Sequence, residues 1–195
     1  MTTKQIAAAD IMPMADYGKI RKQRRQDMAA LKKNRRLSVG PDTTFHFECY
    51  ETMLHQVHEM LYIERGGAEQ LVEELAAYNP LVPNGRELVA TFMIEIEDEG
   101  RRRKTLAVLG GIERTVTLDF EGETVKAVPE ADTERTNAAG KAAAVHFLHF
   151  PFTAAQIAKF KKPGIRVLLG IGHREYAHMA ILPDAMREAL AKDFN

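Results

Sequence analysis

A single cysteine, Cys49, serves all 195 residues. That excludes an intrachain disulfide framework, and any all-thiolate zinc or iron–sulfur site built by one chain. There is no Cys-x-x-Cys motif, no glycine-rich phosphate loop and no Ser-His-Asp order, so those motif-borne chemistries are unsupported. Net charge is missing as well. Lys+Arg and Asp+Glu both number 27, leaving no global field that favours nucleic acid or a membrane surface. Long apolar runs are absent: the opening MTTKQIAAADIMPM has none of signal-peptide length, and no later stretch could span a bilayer. These absences lead us to expect a soluble, cytoplasmic protein. The 45% apolar and 28% charged residues are those of an ordinary globular core and surface.

What is present is unevenly spread. Nine cations, Lys19, Arg21, Lys22, Arg24, Arg25, Lys32, Lys33, Arg35 and Arg36, face one acid, Asp27, within a segment whose residues 16–34 read as a helix. Val39-Gly-Pro-Asp42 ends it with turn chemistry. Phe45-His-Phe-Glu48 is either a short strand or the lead-in to a central helix that runs to Arg65. After Gly66-Gly67, residues 68–78 form an acidic helix with Glu69, Glu73 and Glu74, closed by the prolines of Asn79-Pro-Leu-Val-Pro.

From residue 87 the texture changes to strands. Residues 88–96 are β-rich, 97–109 read as a helix, and 112–120 alternate into a hairpin at Glu121-Gly122, with a polar loop over 129–140. The order then recurs: a strand over 143–150, a helix over 153–161 capped by Thr153, strands over 165–171 and 175–182, and a closing helix. Both halves read β-α-β-β. Both place Gly-Ile before the second strand (Gly111-Ile112, Gly164-Ile165), and both end on Pro, an acid and Ala. An internal duplication is the expectation. The predicted fold is α+β: an N-terminal helical layer over 1–85, then two duplicated β-α-β-β units over 86–195 packed as one sheet system.

The candidate sites centre on the 50–65 helix. At 100° per residue, Tyr50, Met53, Leu54, Val57, Met60 and Leu61 form an apolar stripe. Glu51, His55, His58, Glu59 and Tyr62 fall opposite, with Thr52 and Gln56 at the edge and Glu64 on the stripe. His55 and Glu59, four apart, are helix neighbours able to share iron, manganese or zinc, with His146 as a ligand from elsewhere; a solvated polar face is the plainer alternative. Glu48, Thr52, Gln56, Glu59 and Glu64 form a second set. Glu64 would need a cation, for which Arg24, Arg25 or Arg36 is available, and such pairing either locks helices together or builds a ligand site. Glu59, Glu64 and His146 are the candidates for acid/base work. The basic run could hold phosphate or RNA, but a solvated face, or docking to the acidic helix, is the reading that a neutral chain favours. Cys49, before a helix, is either a redox thiol or a small buried residue.

Leu31-Lys-Lys-x-Arg-Arg-x-x-Val-Gly-Pro41, Phe47-Glu48, then Thr52, Gln56, Glu59-Met60 and Glu64-Arg65, Tyr78-Asn79, and Val145-His-Phe-Leu-x-Phe150 together resemble a bacterial family catalogued as domain of unknown function 3501. The likeness spans nearly the whole chain. Thr52, Gln56 and Glu59 fit the family pattern, whereas His55 and His58 lie outside it. Genes of this family often neighbour rubrerythrin-like and iron–sulfur oxidoreductase-like genes. The resemblance therefore implies an accessory protein of redox, iron–sulfur or oxidative-stress metabolism that acts by binding such a partner. A metal-dependent enzyme with a His/Glu site is the alternative and a phosphate- or RNA-binding module the third. Self-association is left open.

Overall fold

The computed structural model describes residues 5–130 and 142–195. Phe45 and Phe47, then Leu88, Ala90, Phe92 and Ile94, then Leu148 and Phe150 alternate along three strands, so each strand turns one apolar face the same way. These strands are β2 (Thr43–Glu48), β3 (Glu87–Ile94) and β7 (Val145–Pro151). With β1 (Arg36–Ser38) and β6 (Val128–Pro129) they form an antiparallel sheet in the order β1-β2-β3-β7-β6. A second antiparallel sheet, β5-β4-β8-β9, comprises β4 (Val116–Phe120), β5 (Glu123–Lys126), β8 (Leu168–His173) and β9 (Tyr176–Ile181). Val116, Leu118, Phe120, Val125, Leu169 and Ile171 join the inner residues of the first sheet in one apolar core.

The outer face of the first sheet is covered by helices. Val89 there packs with Met53, Val57 and Leu61 of α2 (Tyr50–Glu64), making a separate smaller core. On α2 lie α1 (Met14–Lys32) to one side and α3 (Gly67–Tyr78) to the other. The remaining helices are α4 (Glu99–Val108), α5 (Ala154–Phe160) and α6 (Asp184–Leu190). Asp98 caps α4 by accepting from Arg101 N–H at 2.6 Å, and Thr153 caps α5 by accepting from Gln156 N–H at 3.3 Å, as its sequence indicates.

The α+β class and the N-terminal helices agree with the sequence reading. The order β-α-β-β also occurs twice, as β3-α4-β4-β5 and β7-α5-β8-β9. The sheets differ from expectation, however. Each run gives its first strand to one sheet and its hairpin to the other, so there are two sheets, interlaced, in place of one system. Residues 112–115, expected in a strand, form a 3-10 turn. Thr115 Oγ1 donates to the Ile112 carbonyl at 2.8 Å, a local bond that competes with a strand ladder. Of the loop read over 129–140, Pro129 belongs to β6 and residues 131–140 lie outside the described residues.

Candidate functional site

The polar side of α2 is the underside of α1. Tyr17 is the one buried residue of α1. Its hydroxyl donates to Glu59 Oε1 at 2.7 Å, while Arg21 binds the same carboxylate in a fork, Nε to Oε1 at 2.9 Å and Nη2 to Oε2 at 2.8 Å. Tyr17 stacks on His58 with ring centroids 4.9 Å apart, and the Arg21 guanidinium lies 4.8 Å over the Tyr62 ring. Gly18 permits this approach: a Cβ there would meet Tyr62 Cε2 at 3.0 Å. Of the alternatives the sequence left open, a solvated face does not describe Glu59 and His58, which hold the α1 segment in place.

Protonation in this cluster follows from the geometry. Hydrogen bonds from Arg21 hold Glu59 down at about 2, against the cost of its partial burial. Burial, then the hydrogen bond to Glu59, push Tyr17 well above the ordinary phenol value, so its proton stays on oxygen. With that proton directed at Glu59, the contact between Tyr17 Oη and His55 Nδ1, at 3.3 Å, requires Nδ1–H to donate. His58 is fixed more tightly. Its Nε2 accepts from Met12 N–H at 3.1 Å, so Nδ1–H donates to the Leu54 carbonyl at 2.8 Å. Both nitrogens are used and the ring is neutral, which leaves His58 no lone pair for a metal.

The other sequence-selected residues disperse. Glu48 and Thr52 do meet: Thr52 Oγ1 accepts from Cys49 N–H at 2.9 Å and donates to Glu48 Oε2 at 2.6 Å, and Thr91 Oγ1 donates to Glu48 Oε1 at 2.7 Å. These bonds fix the β2–α2 corner to β3. Gln56 lies beside Tyr78 of α3. Glu64, expected to be buried against the basic helix, is exposed and accepts from Gln70 Nε2 at 2.9 Å, because the helix ends one residue later with Arg65 in the left-handed region (φ 58°). Arg36 is also exposed and lies 3.5 Å from Glu95, away from α2. Of the basic helix it is Arg21, not Arg24, Arg25 or Arg36, that pairs with α2. Nor does α1 dock on the acidic α3, since α2 lies between them.

His146 is on the far side of the first sheet from α2. It is fully buried, stacked on Phe92 at 5.5 Å, with Nε2–H donating to the Ala143 carbonyl at 2.9 Å and Glu113 Oε2 at 3.8 Å from Nδ1. The set His55, Glu59 and His146 is therefore not brought together, and among the described residues no three His, Cys, Asp or Glu side chains could hold a metal ion. Sequence reasoning missed Tyr17 and Thr91, and did not single out Arg21. The signal available was the i, i+4 spacing of Tyr17 and Arg21, obscured by the cations around them.

A sequence profile of the family described as "Protein of unknown function (DUF3501)" matches residues 5–194. The chain belongs to this family. A similar solved structure is a chain from Burkholderia pseudomallei described as a novel protein of unknown function. It is 37% identical, with a TM-score of 0.91 over 98% of this chain and 100% of that one. No curated protein matches. The α1–α2 and Glu48–Thr52–Thr91 contacts described above give physical roles to the DUF3501 motif residues Glu48, Thr52 and Glu59.

Two expected results concern these side chains. Burial lowers the pKa of His46, His55 and His58 from 6.5, whereas hydrogen bonding to Glu87 raises that of His149, 3.0 Å away. The signs are opposite. The lowered group contributes stability above pH 6.5 that is lost as pH falls; His149 contributes below pH 6.5 and loses it as pH rises through its folded value. Urea melts from about pH 5 to pH 8 should show His58→Gln flattening the acid limb and His149→Gln the alkaline one. For Cys49, burial pushes the thiol up to about 11, so it should resist iodoacetamide at neutral pH until the protein unfolds. Rapid labelling of native protein would overturn this.

Proposed function

We propose that this protein works by docking, as a cytoplasmic accessory of redox, iron–sulfur or oxidative-stress metabolism, and that the outward face of α1 is its contact surface. One observation carries the reading. Tyr17 and Arg21 spend their contacts on α2, while Lys22 and Arg25 on the outer side are exposed and have no ion pair or hydrogen bond among the described residues. Arg21, Lys22, Arg25 and Tyr62 line an open groove of about 510 Å³ between the two helices. Unneutralised cations on a braced helix favour an acidic protein surface, because complementary charge speeds encounter and sets orientation. The family resemblance points to rubrerythrin-like or iron–sulfur proteins as partners of that kind. Dispersal of His55, Glu59 and His146 makes a metal-dependent enzyme built on them the weaker reading.

The test is sedimentation of the purified protein with a rubrerythrin-like protein and with an iron–sulfur oxidoreductase. A complex is expected at low salt, weakened roughly tenfold or more by Lys22→Glu with Arg25→Glu, and weakened again by added salt. No complex with either protein, or one indifferent to both charge reversals, would overturn the proposal. Tighter binding of single-stranded RNA than of either protein would move the nucleic-acid reading ahead.

A further inference from the structure

The motif Lys32-Lys-Asn-Arg-Arg36 divides in the fold. Arg35 turns inward to a buried ion pair with Asp193, at 2.6 Å. Lys32, Lys33 and Arg36 stay at the surface, where with Ala29, Ser38 and His46 they line a cleft of about 420 Å³ between the last turn of α1 and strands β1 and β2. No acid lines it. Its polar groups are three cations, a hydroxyl and an imidazole, drawn from three elements of secondary structure. Lys32 and Lys33 have no ion pair or hydrogen bond among the described residues, and Arg36 has only the 3.5 Å contact to Glu95 at the surface.

The His46 ring has no hydrogen bond from any described residue, and its Nε2 is buried. Such an arrangement is poor as scaffolding, since three like charges repel with little to offset them. It suits a ligand that brings the missing negative charge.

We propose that this cleft is a binding site for a phosphate-bearing small molecule, with a pyrophosphate or phosphomonoester group held by Lys32, Lys33 and Arg36 and by the Ser38 hydroxyl. Lysine serves phosphate as a point charge and arginine as a two-pronged donor, and the hydroxyl supplies a neutral donor between them. The volume lies in the range of small-molecule sites and exceeds what a single phosphate group fills, leaving room for the group it is attached to. This site is separate from the Lys22/Arg25 face and does not depend on the docking reading.

His46 reports occupancy. Its pKa is lowered by burial and then by Arg36, with Lys32 acting in the same sense and Glu48 and Glu95 opposing. A bound dianion adds to the opposing side, so ligand binding should raise the His46 titration midpoint, and binding should tighten as pH falls through it.

The experiment is a titration of the full chain with inorganic pyrophosphate at constant ionic strength. It is followed by calorimetry and by the His46 imidazole NMR resonances, with inorganic phosphate and sulfate as comparison anions. Saturable heat, a rise in the His46 midpoint, and a loss of roughly tenfold or more in affinity for Lys33→Glu and for Arg36→Glu are expected. Lys19→Glu, on α1 but outside the cleft, should bind as the wild type does. Because Lys33 and Arg36 are exposed, both variants should fold, which their unchanged amide spectra would show. Several results would overturn the proposal. One is non-saturating shifts equal for pyrophosphate, phosphate and sulfate; a second is affinity unaffected by Lys33→Glu and Arg36→Glu. A third is an RNA oligonucleotide that binds with steep salt dependence and is not displaced by pyrophosphate. Retained protein-partner binding in Arg36→Glu, alongside lost pyrophosphate binding, would keep the two proposals apart.

Discussion

Replacing Arg35 with alanine should remove about 3–5 kcal/mol of stability, the usual cost of stranding one half of a buried ion pair. Arg35 is 7% exposed and the Asp193 side chain 8%. Between them run two short hydrogen bonds, Nη1 to Oδ2 at 2.9 Å and Nη2 to Oδ1 at 2.6 Å, and Nη1 also donates to the Glu48 carbonyl at 3.3 Å. Burial alone would favour a neutral guanidinium, but the hydrogen bonds and charge of Asp193 outweigh it and keep Arg35 protonated. Alanine leaves the largely buried carboxylate with no counter-charge. Urea unfolding at neutral pH measures the loss. Arg35→Met combined with Asp193→Leu should recover most of it, because two apolar side chains of similar volume remove both desolvation costs. A loss below about 1 kcal/mol, as for solvent-exposed pairs, would show that water reaches the site.

The second large effect is expected at Tyr17. Truncation of a buried aromatic to alanine costs about 3–5 kcal/mol, and here the loss should be local. Tyr17 is the single buried residue of α1, so Tyr17→Ala should free that helix while the core between the sheets stands. Hydrogen exchange would then show protection lost over residues 14–32 and kept in β3 and β7. Tyr17→Phe keeps the ring stacked on His58 and gives up the bond to Glu59, a smaller cost of about 1–3 kcal/mol. Acid should act at the same place. Glu59 contributes fully above pH 4.5 and loses its contribution as pH falls toward about 2. Uniform loss of protection throughout Tyr17→Ala would mean that α1 belongs to one cooperative unit with the sheets.

Much of the fold was legible because period and punctuation are local. The β-rich run over 88–96, the Thr153 cap and the Gly66-Gly67 break each depend on residues close in sequence, and each has its counterpart in the structure. The β-α-β-β order was legible for the same reason. How the strands are shared between sheets was not, because hydrogen-bond partners such as Phe92 and His146 lie far apart in sequence. The site was read less well. The helical wheel separated the polar side of α2 correctly, but a wheel does not say whether a polar face meets water or another helix. Glu59 and Tyr17 are 42 residues apart, and the excess of cations on α1 concealed which one would turn inward. Glu64 was misplaced by extending an ideal wheel into the last turn, where the chain leaves the helix at Arg65.

The interlacing of the two sheets bears on how the chain is made. Strand β3 is complete at Ile94, yet the neighbour that hydrogen-bonds its second edge, β7, begins at Val145. At synthesis rates of about 5–20 residues per second, a nascent chain carries that open edge for roughly 3–10 s. Its residues Leu88, Ala90 and Phe92, all fully buried in the finished protein, have no β7 to lie beside in that interval. Helix α2 can cover the other face of the sheet early, because it precedes β3 in the chain. The topology thus concentrates the risk of misassociation in the middle of translation, at one strand edge, and ends it when β7 emerges.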